Sequence, residues 1–272
     1  MSETSSRRVP CALSIAGSDS GGGAGIQADL KAFARCGVHG ATAITAITVQ
    51  NTAEVRAVYP VPPHVIVEQV AAVAEDIGVD AVKIGMLGNA ETIEAVAEAL
   101  NHTGAAPVVI DPVMVAESGA SLLEDDANQV LRDLLLPRAT VITPNVPEAR
   151  VLSGKDRDTD VEDLARALRA LGPANVVITG GHREEAIDLF FDGAEFVEIE
   201  GERYPDGAAH GSGCTHSSAL AAHLALGFDP LEAARRAKAI AAEAVRAGLS
   251  EIGEGAGPVD VFGLSAAPAA HD

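Results

Sequence analysis

Tryptophan is absent from this chain of 272 residues, and aromatic residues of all kinds reach only 3%. A core for a chain of this length must then be filled by Ala, Val, Ile and Leu, which suits closely packed helix-on-sheet layers. Lysine is nearly missing, confined to Lys31, Lys83, Lys155 and Lys238, and the formal net charge is −20. A surface so acidic repels nucleic acid and anionic membranes, and neither is expected as a partner. The same balance fits either adaptation to a salt-rich interior or an ordinary acidic soluble protein. Cysteine is scarce: Cys11, Cys36 and Cys214 show no CxxC spacing. The odd count, with no apolar leader after Arg7 and Arg8, points to free thiols in a reducing cytoplasm. No apolar run approaches the ~18 residues of a spanning helix. No H-x-x-x-H pair or Cys cluster offers a zinc site.

What is present is a regular alternation of strand-like and helix-like patterns. Strands are expected at residues 9–16, 41–49, 81–84, 108–110, 140–142 and 176–178. Amphipathic helices are expected at 26–36, 65–77, 91–100, 125–135 and 161–171. Residues 55–61 form a further extended piece, halted by Pro62 and Pro63. Asp192-Gly193 is a hairpin signal, so residues 186–191 and 194–199 are expected to close the sheet as an antiparallel pair. Helices at 215–226 and 230–248 complete the chain. This rhythm predicts a mostly parallel sheet covered on both faces, in one domain spanning 1–272 with flexible tails at 1–8 and 264–272. Ligands of such sheets lie beyond the carboxyl ends of the strands, where the Gly-rich and polar segments fall.

The most informative segment is His210-Gly211-Ser212-Gly213-Cys214-Thr215, set before an apolar helical run. Gly211, Ser212 and Gly213 let backbone N–H groups converge without Cβ obstruction, at the positive end of a helix. A thiol in that first turn, Cys214, is expected to be biased toward thiolate. His216, two residues on, points about 200° away and forms no dyad with it. Gly21-Gly22-Gly23-Ala24-Gly25 is not a good GxGxxG, because Ile26 takes the place of the last Gly, and the Walker pattern GxxxxGK[ST] is absent, since Lys155 after Gly154 is itself followed by Asp156. It reads as a tight strand-to-helix turn, or as a place where backbone approaches a small ring with Asp19 as acceptor. Asp111 and Glu148 each follow an apolar strand. They could cap helices, or share one Mg²⁺ with substrate phosphates.

These blocks, in this order, resemble the hydroxymethylpyrimidine and phosphomethylpyrimidine kinases. The resemblance runs over about residues 10–262. It rests on 14–31 (SIAGSDSGGGAGIQADLK), 45–52 (TAITVQNT), 83–87 (KIGML), 111–118 (DPVMVAES), 143–149 (TPNVPEA), 210–215 (HGSGCT) and 253–259 (GEGAGPV). It implies a ribokinase-like three-layer α/β/α sandwich and an ATP- and Mg²⁺-dependent homodimer. The implied activity phosphorylates the pyrimidine precursor of thiamine twice. Gln50 is then expected to read the aminopyrimidine edge, with Asp19, Gly17, Met86 and Met114 lining the ring pocket. Asp111 and Glu148 would serve Mg²⁺, and Asn145, Thr179 and Gly181 the nucleotide phosphates. Residues 211–214 would form the anion hole, with Cys214 where sugar kinases of the superfamily carry an Asp base. Thr179, Glu117 and Glu254 replace residues that are often Lys or, at 117, also Thr in relatives, and so leave the site more negative. A pyridoxal kinase of the same superfamily and a low-turnover pyrimidine sensor are the rival readings.

Overall fold

The computed structural model describes residues 8–116, 119–120, 122–124, 127–180, 186–204 and 208–266. Gly181 and Glu117 lie outside the described residues, as do most of the two expected tails. Within the last tail, Ser265 is tied to Asp260 by backbone and hydroxyl hydrogen bonds of 2.8 and 2.9 Å.

Nine strands among the described residues join in one sheet. They are β1 (Cys11–Ser18), β2 (His39–Gln50), β3 (Val55–Pro60), β4 (Ala81–Ile84), β5 (Val108–Ile110), β6 (Val141–Ile142), β7 (Asn175–Ile178), β8 (Asp188–Phe191) and β9 (Phe196–Ile199). Their order is β3-β2-β1-β4-β5-β6-β7-β8-β9. The pairs from β2 through β7 are parallel. The expected antiparallel pair closes one edge, with β8 also antiparallel to β7. The other edge is antiparallel as well, because β3 folds back on β2. The chain winds one way from β1 to β2 and the other way from β4 onward, so the crevice between β1 and β4 is the topological switch point.

Alternation along the strands sorts the core into two layers. Leu13, Ile15, Val82, Ile84, Val108 and Ile110 face α2 (Pro63–Asp76), α3 (Ala90–Ala99), α4 (Ala127–Leu134), α5 (Val146–Ser153) and α6 (Val161–Arg169). Ala12, Ala81, Val109, Val141 and Val177 face the opposite layer, α1 (Gly25–Arg35), α7 (Ser212–Ala225) and α8 (Pro230–Arg246). Small Ala residues on α7 and α8 let those helices lie close to the sheet, which is how a chain without Trp fills its interior.

Two differences from the sequence reading matter for the site. Residues 146–153 form a helix where the sequence pattern marks no element. Asn145 accepts from the Glu148 amide, Glu148 accepts from the Asn145 amide, and Pro147 stands in the first turn, where proline is tolerated. The helix expected from residue 215 begins instead at Ser212, so Cys214 lies inside its first turn.

Candidate active site

The parallel strands deliver their loops to one rim. Gly85 donates to Ile15, Asp111 to Ile84, Thr143 to Ile110 and Thr179 to Pro144, each through its backbone amide, at 2.9–3.0 Å. Gly17, Met86, Asp111, Asn145 and Thr179 therefore stand in a row at the carboxyl ends of β1, β4, β5, β6 and β7. Gly17 and Met86 touch: a Cβ on Gly17 would lie 2.5 Å from the Met86 Cε. Met114 is buried on the same rim, and its amide donates to Glu148. At the end of β2, the Thr48 hydroxyl donates to Gln50 Oε1 at 3.2 Å, and the backbone of Gln50 is clasped by Ser20.

The amino end of α7 meets this row from the other layer. Gly211 caps the helix at φ +84°, and a Cβ there would lie 1.8 Å from the Gly23 carbonyl oxygen. Only glycine permits both the left-handed turn and that approach. The Ser212 amide, expected among the anion donors, turns back to the Ala209 carbonyl at 2.9 Å. The amides of Gly213 and Cys214 meet no carbonyl among the described residues and remain as the cradle. Asp111 Oδ2 lies 3.9 Å from where a Gly213 Cβ would be and accepts from the Ser217 hydroxyl at 2.9 Å.

Asp111 and Glu148 form an electrostatic pair. Burial raises the Asp111 pKa against the pull of Lys83 and Ser217. Burial and the Asp111 charge push Glu148 up to about 8, against the amides of Asn145 and Met114. Two carboxylates that resist ionising together suit a hard divalent cation. No group of three or more His, Cys, Asp or Glu side chains among the described residues is placed to hold a metal ion by itself. A Mg²⁺ here would complete its shell with water and phosphate oxygens, as Mg²⁺ commonly does.

The expectation of a thiolate at Cys214 is corrected. Its thiol keeps some surface but sits deep among protein atoms, and burial pushes its pKa up to about 12. Asp29 and Asp111 add to the rise, while Lys83 and the Gly25 amide oppose it. The helix-end field that the sequence promised is outweighed by lost hydration.

Asp19 does not point a free carboxylate at the crevice. Its oxygens accept from the amides of Gly21 at 2.8 Å, Gly23 at 3.0 Å and Ala24 at 2.8 Å. Burial alone would raise its pKa, but a bond from His210 and the amides of Ala24 and Gly21 pull it below the ordinary carboxylate value. Asn145 likewise uses its side-chain oxygen to cap α5. Thr179 bridges to Asn145, and the Gly180 amide is held by Asp188 at 2.8 Å.

One element escaped the sequence reading. Lys83 is fully buried in β4 and bonded to Asp29 at 2.9 and 3.1 Å. Ser14 and Ser218 donate to the same carboxylate at 2.5 and 2.7 Å. Burial would lower the Lys83 pKa, but Asp29, with Cys214 and Asp111, outweighs it and raises it. A positive charge thus lies beneath the cradle. A lone Lys in the apolar run Ala81-Val82-Lys83-Ile84 was the available signal, because an unpaired charge is not buried there.

A family profile described as phosphomethylpyrimidine kinase matches residues 19–260. The chain belongs to the phosphomethylpyrimidine kinase family. A hydroxymethylpyrimidine/phosphomethylpyrimidine kinase of Rhizobium meliloti is 49% identical over 257 residues, covering 92% of this chain and 96% of the relative. Among solved structures, a Bacillus subtilis pyridoxal kinase in complex with ADP superposes with a TM-score of 0.86 at 40% identity, over 94% of this chain and 99% of that one. A phosphomethylpyrimidine kinase of Clostridium difficile 630 superposes with a TM-score of 0.77 at 41% identity, over 88% of this chain and 100% of that one. The ribokinase-like fold and a kinase activity follow for this member of the family. No helix among its described residues is long and apolar enough to cross a membrane.

Proposed function

We propose that this kinase moves a phosphoryl group from ATP to the hydroxymethyl oxygen of 4-amino-5-hydroxymethyl-2-methylpyrimidine. A second transfer, to the monophosphate so formed, gives the diphosphate used in thiamine synthesis. The observation that carries the reading is the meeting, at the carboxyl rim of the parallel strands, of the Gly213 and Cys214 amides with the paired carboxylates Asp111 and Glu148. Donors for a phosphoryl oxygen and ligands for its cation are what a loose phosphoryl-transfer transition state requires.

In this reading Gly17, Met86 and Met114 give the ring a flat apolar slot, shaped from one side by the loop that Asp19 organises. Gln50 keeps its amide nitrogen as donor and a lone pair as acceptor, which matches an aminopyrimidine edge. Asn145 and Thr179 would serve the nucleotide phosphates, the role the family resemblance also gives Gly181. MgATP, when bound, supplies the transferring group and neutralises part of its charge, with Asp111 and Glu148 as the protein's cation ligands. The acceptor oxygen forms its bond to phosphorus as the bond to the ADP oxygen breaks. The hydroxyl proton passes to Cys214 in its thiolate form, a minor form at neutral pH. Alignment and charge neutralisation therefore supply most of the acceleration. The second acceptor is already an anion and needs no base.

The same reading takes the chain as one cytoplasmic kinase domain and as a homodimer. The exposed apolar row of Ile47, Val49 and Tyr59 on the β2–β3 edge supports self-association, and sedimentation velocity tests it. Activity is tested by ADP release with hydroxymethylpyrimidine, its monophosphate and pyridoxal. Turnover with both pyrimidines is expected. Turnover with pyridoxal alone would replace this reading with a pyridoxal kinase, and no release with any acceptor would leave a sensor.

A further inference from the structure

His210 immediately precedes the helix cap, yet the phosphoryl chemistry does not use it. His210 is buried, 8% exposed, and its Nε2 lies 3.2 Å from Asp19 Oδ2. That carboxylate is the hub of the glycine loop, since it gathers the amides of Gly21, Gly23 and Ala24. The ring also presses on the loop: a Cβ on Gly23 would meet the His210 Cδ2 at 2.2 Å and Nε2 at 2.8 Å. The His210 backbone is anchored separately. Its amide donates to the Gly257 carbonyl at 3.3 Å, and its carbonyl accepts from the Val259 amide at 3.1 Å. One residue therefore ties three distant segments together: the loop after β1, the turn before α7, and residues 257–259.

We propose that His210 is a positioning residue: through its Nε2–Asp19 hydrogen bond it holds the pyrimidine-side loop, residues 19–25, in register with the phosphoryl-side turn at the start of α7. The geometry gives this register a consequence. The Gly23 carbonyl seats against Gly211, and the Gly25 amide reaches the Cys214 sulfur. A slipped loop would separate the acceptor pocket from the cradle while leaving each one intact. The inference rests on the assignment of ring and phosphate sides made above.

The test uses the full chain with His210→Ala, His210→Gln and His210→Asn. A glutamine amide reaches about as far as the imidazole Nε2, whereas asparagine falls short. His210→Ala is expected to lower kcat for both pyrimidine substrates by ~10–10²-fold, the scale of a ~1 Å misalignment. Dissociation constants for ADP and for hydroxymethylpyrimidine, each measured alone by calorimetry, should stay within about threefold, since each half-site survives. His210→Gln should recover most of kcat, and His210→Asn should not. Amide exchange of residues 19–25, measured without any substrate, should speed up in the Ala and Asn variants and not in the Gln variant. A Gln variant no better than Ala, in kcat and in exchange, would overturn the latch, as would an Ala variant with unchanged kcat and exchange. Should the Ala variant fail to fold, the Gln and Asn pair makes the same comparison. If the wild-type chain turned over neither pyrimidine, the functional reading would fall, and the exchange arm alone would still decide the latch.

Discussion

Replacing Cys214 by Ala separates the two phosphorylations. With a thiol pKa of about 12, only ~10⁻⁴ of the molecules carry thiolate near pH 8. Forming it at that pH costs about 5 kcal/mol. A well-placed general base contributes ~10²–10⁴-fold, and a loose transition state asks less of it than most. Cys214→Ala is therefore expected to slow transfer to hydroxymethylpyrimidine by ~10–10²-fold. Transfer to the monophosphate, an anion already, should change by less than about threefold. In the wild-type protein the first step should quicken as pH rises from 7 to 9, because the thiolate fraction grows toward the high pKa, and Cys214→Ala should remove that slope. The assay is ADP release, run separately with each acceptor at saturating MgATP. Equal losses on the two substrates would refute a proton-accepting role, and so would an unchanged pH slope in the variant.

Gly211→Ala places a Cβ 1.8 Å from a backbone oxygen at φ +84°. It should cost activity by about 10²-fold or more, because the loop must retreat by more than ~1 Å, and wild-type kcat in that variant would contradict the packing described. In metal-free protein, Glu148 holds its proton to about pH 8, while the unfolded chain loses it near 4.5. The folded state then binds more protons between these values, so stability falls as pH rises from 4.5 to 8. Glu148→Gln in EDTA should flatten that part of the Tm-against-pH curve, and an unaltered slope would remove the assigned coupling. With a net charge of −20, Tm should climb through a potassium chloride series, and a flat or falling Tm would end the idea of salt adaptation.

Periodicity alone made the alternating layers legible, since buried parallel strands and one-sided helices write different repeats. The turn chemistry at Gly211 and the glycines of 21–25 likewise mark a helix end and a tight loop in the sequence itself. Helix α5 was hidden, because proline is read as a breaker unless the capping box around it is noticed. The fate of individual side chains was decided only by tertiary structure. Asp19 was free to face a ligand in sequence; its oxygens instead gather the amides of its own loop and meet His210 from 191 residues away. Lys83 passed unremarked in an apolar strand; Asp29, 54 positions earlier, is the partner that folds over it. The sign of the Cys214 shift turned on the same fact. A helix terminus is a local feature that the chain encodes directly, whereas desolvation and the charges that oppose it depend on which distant segments close around the group.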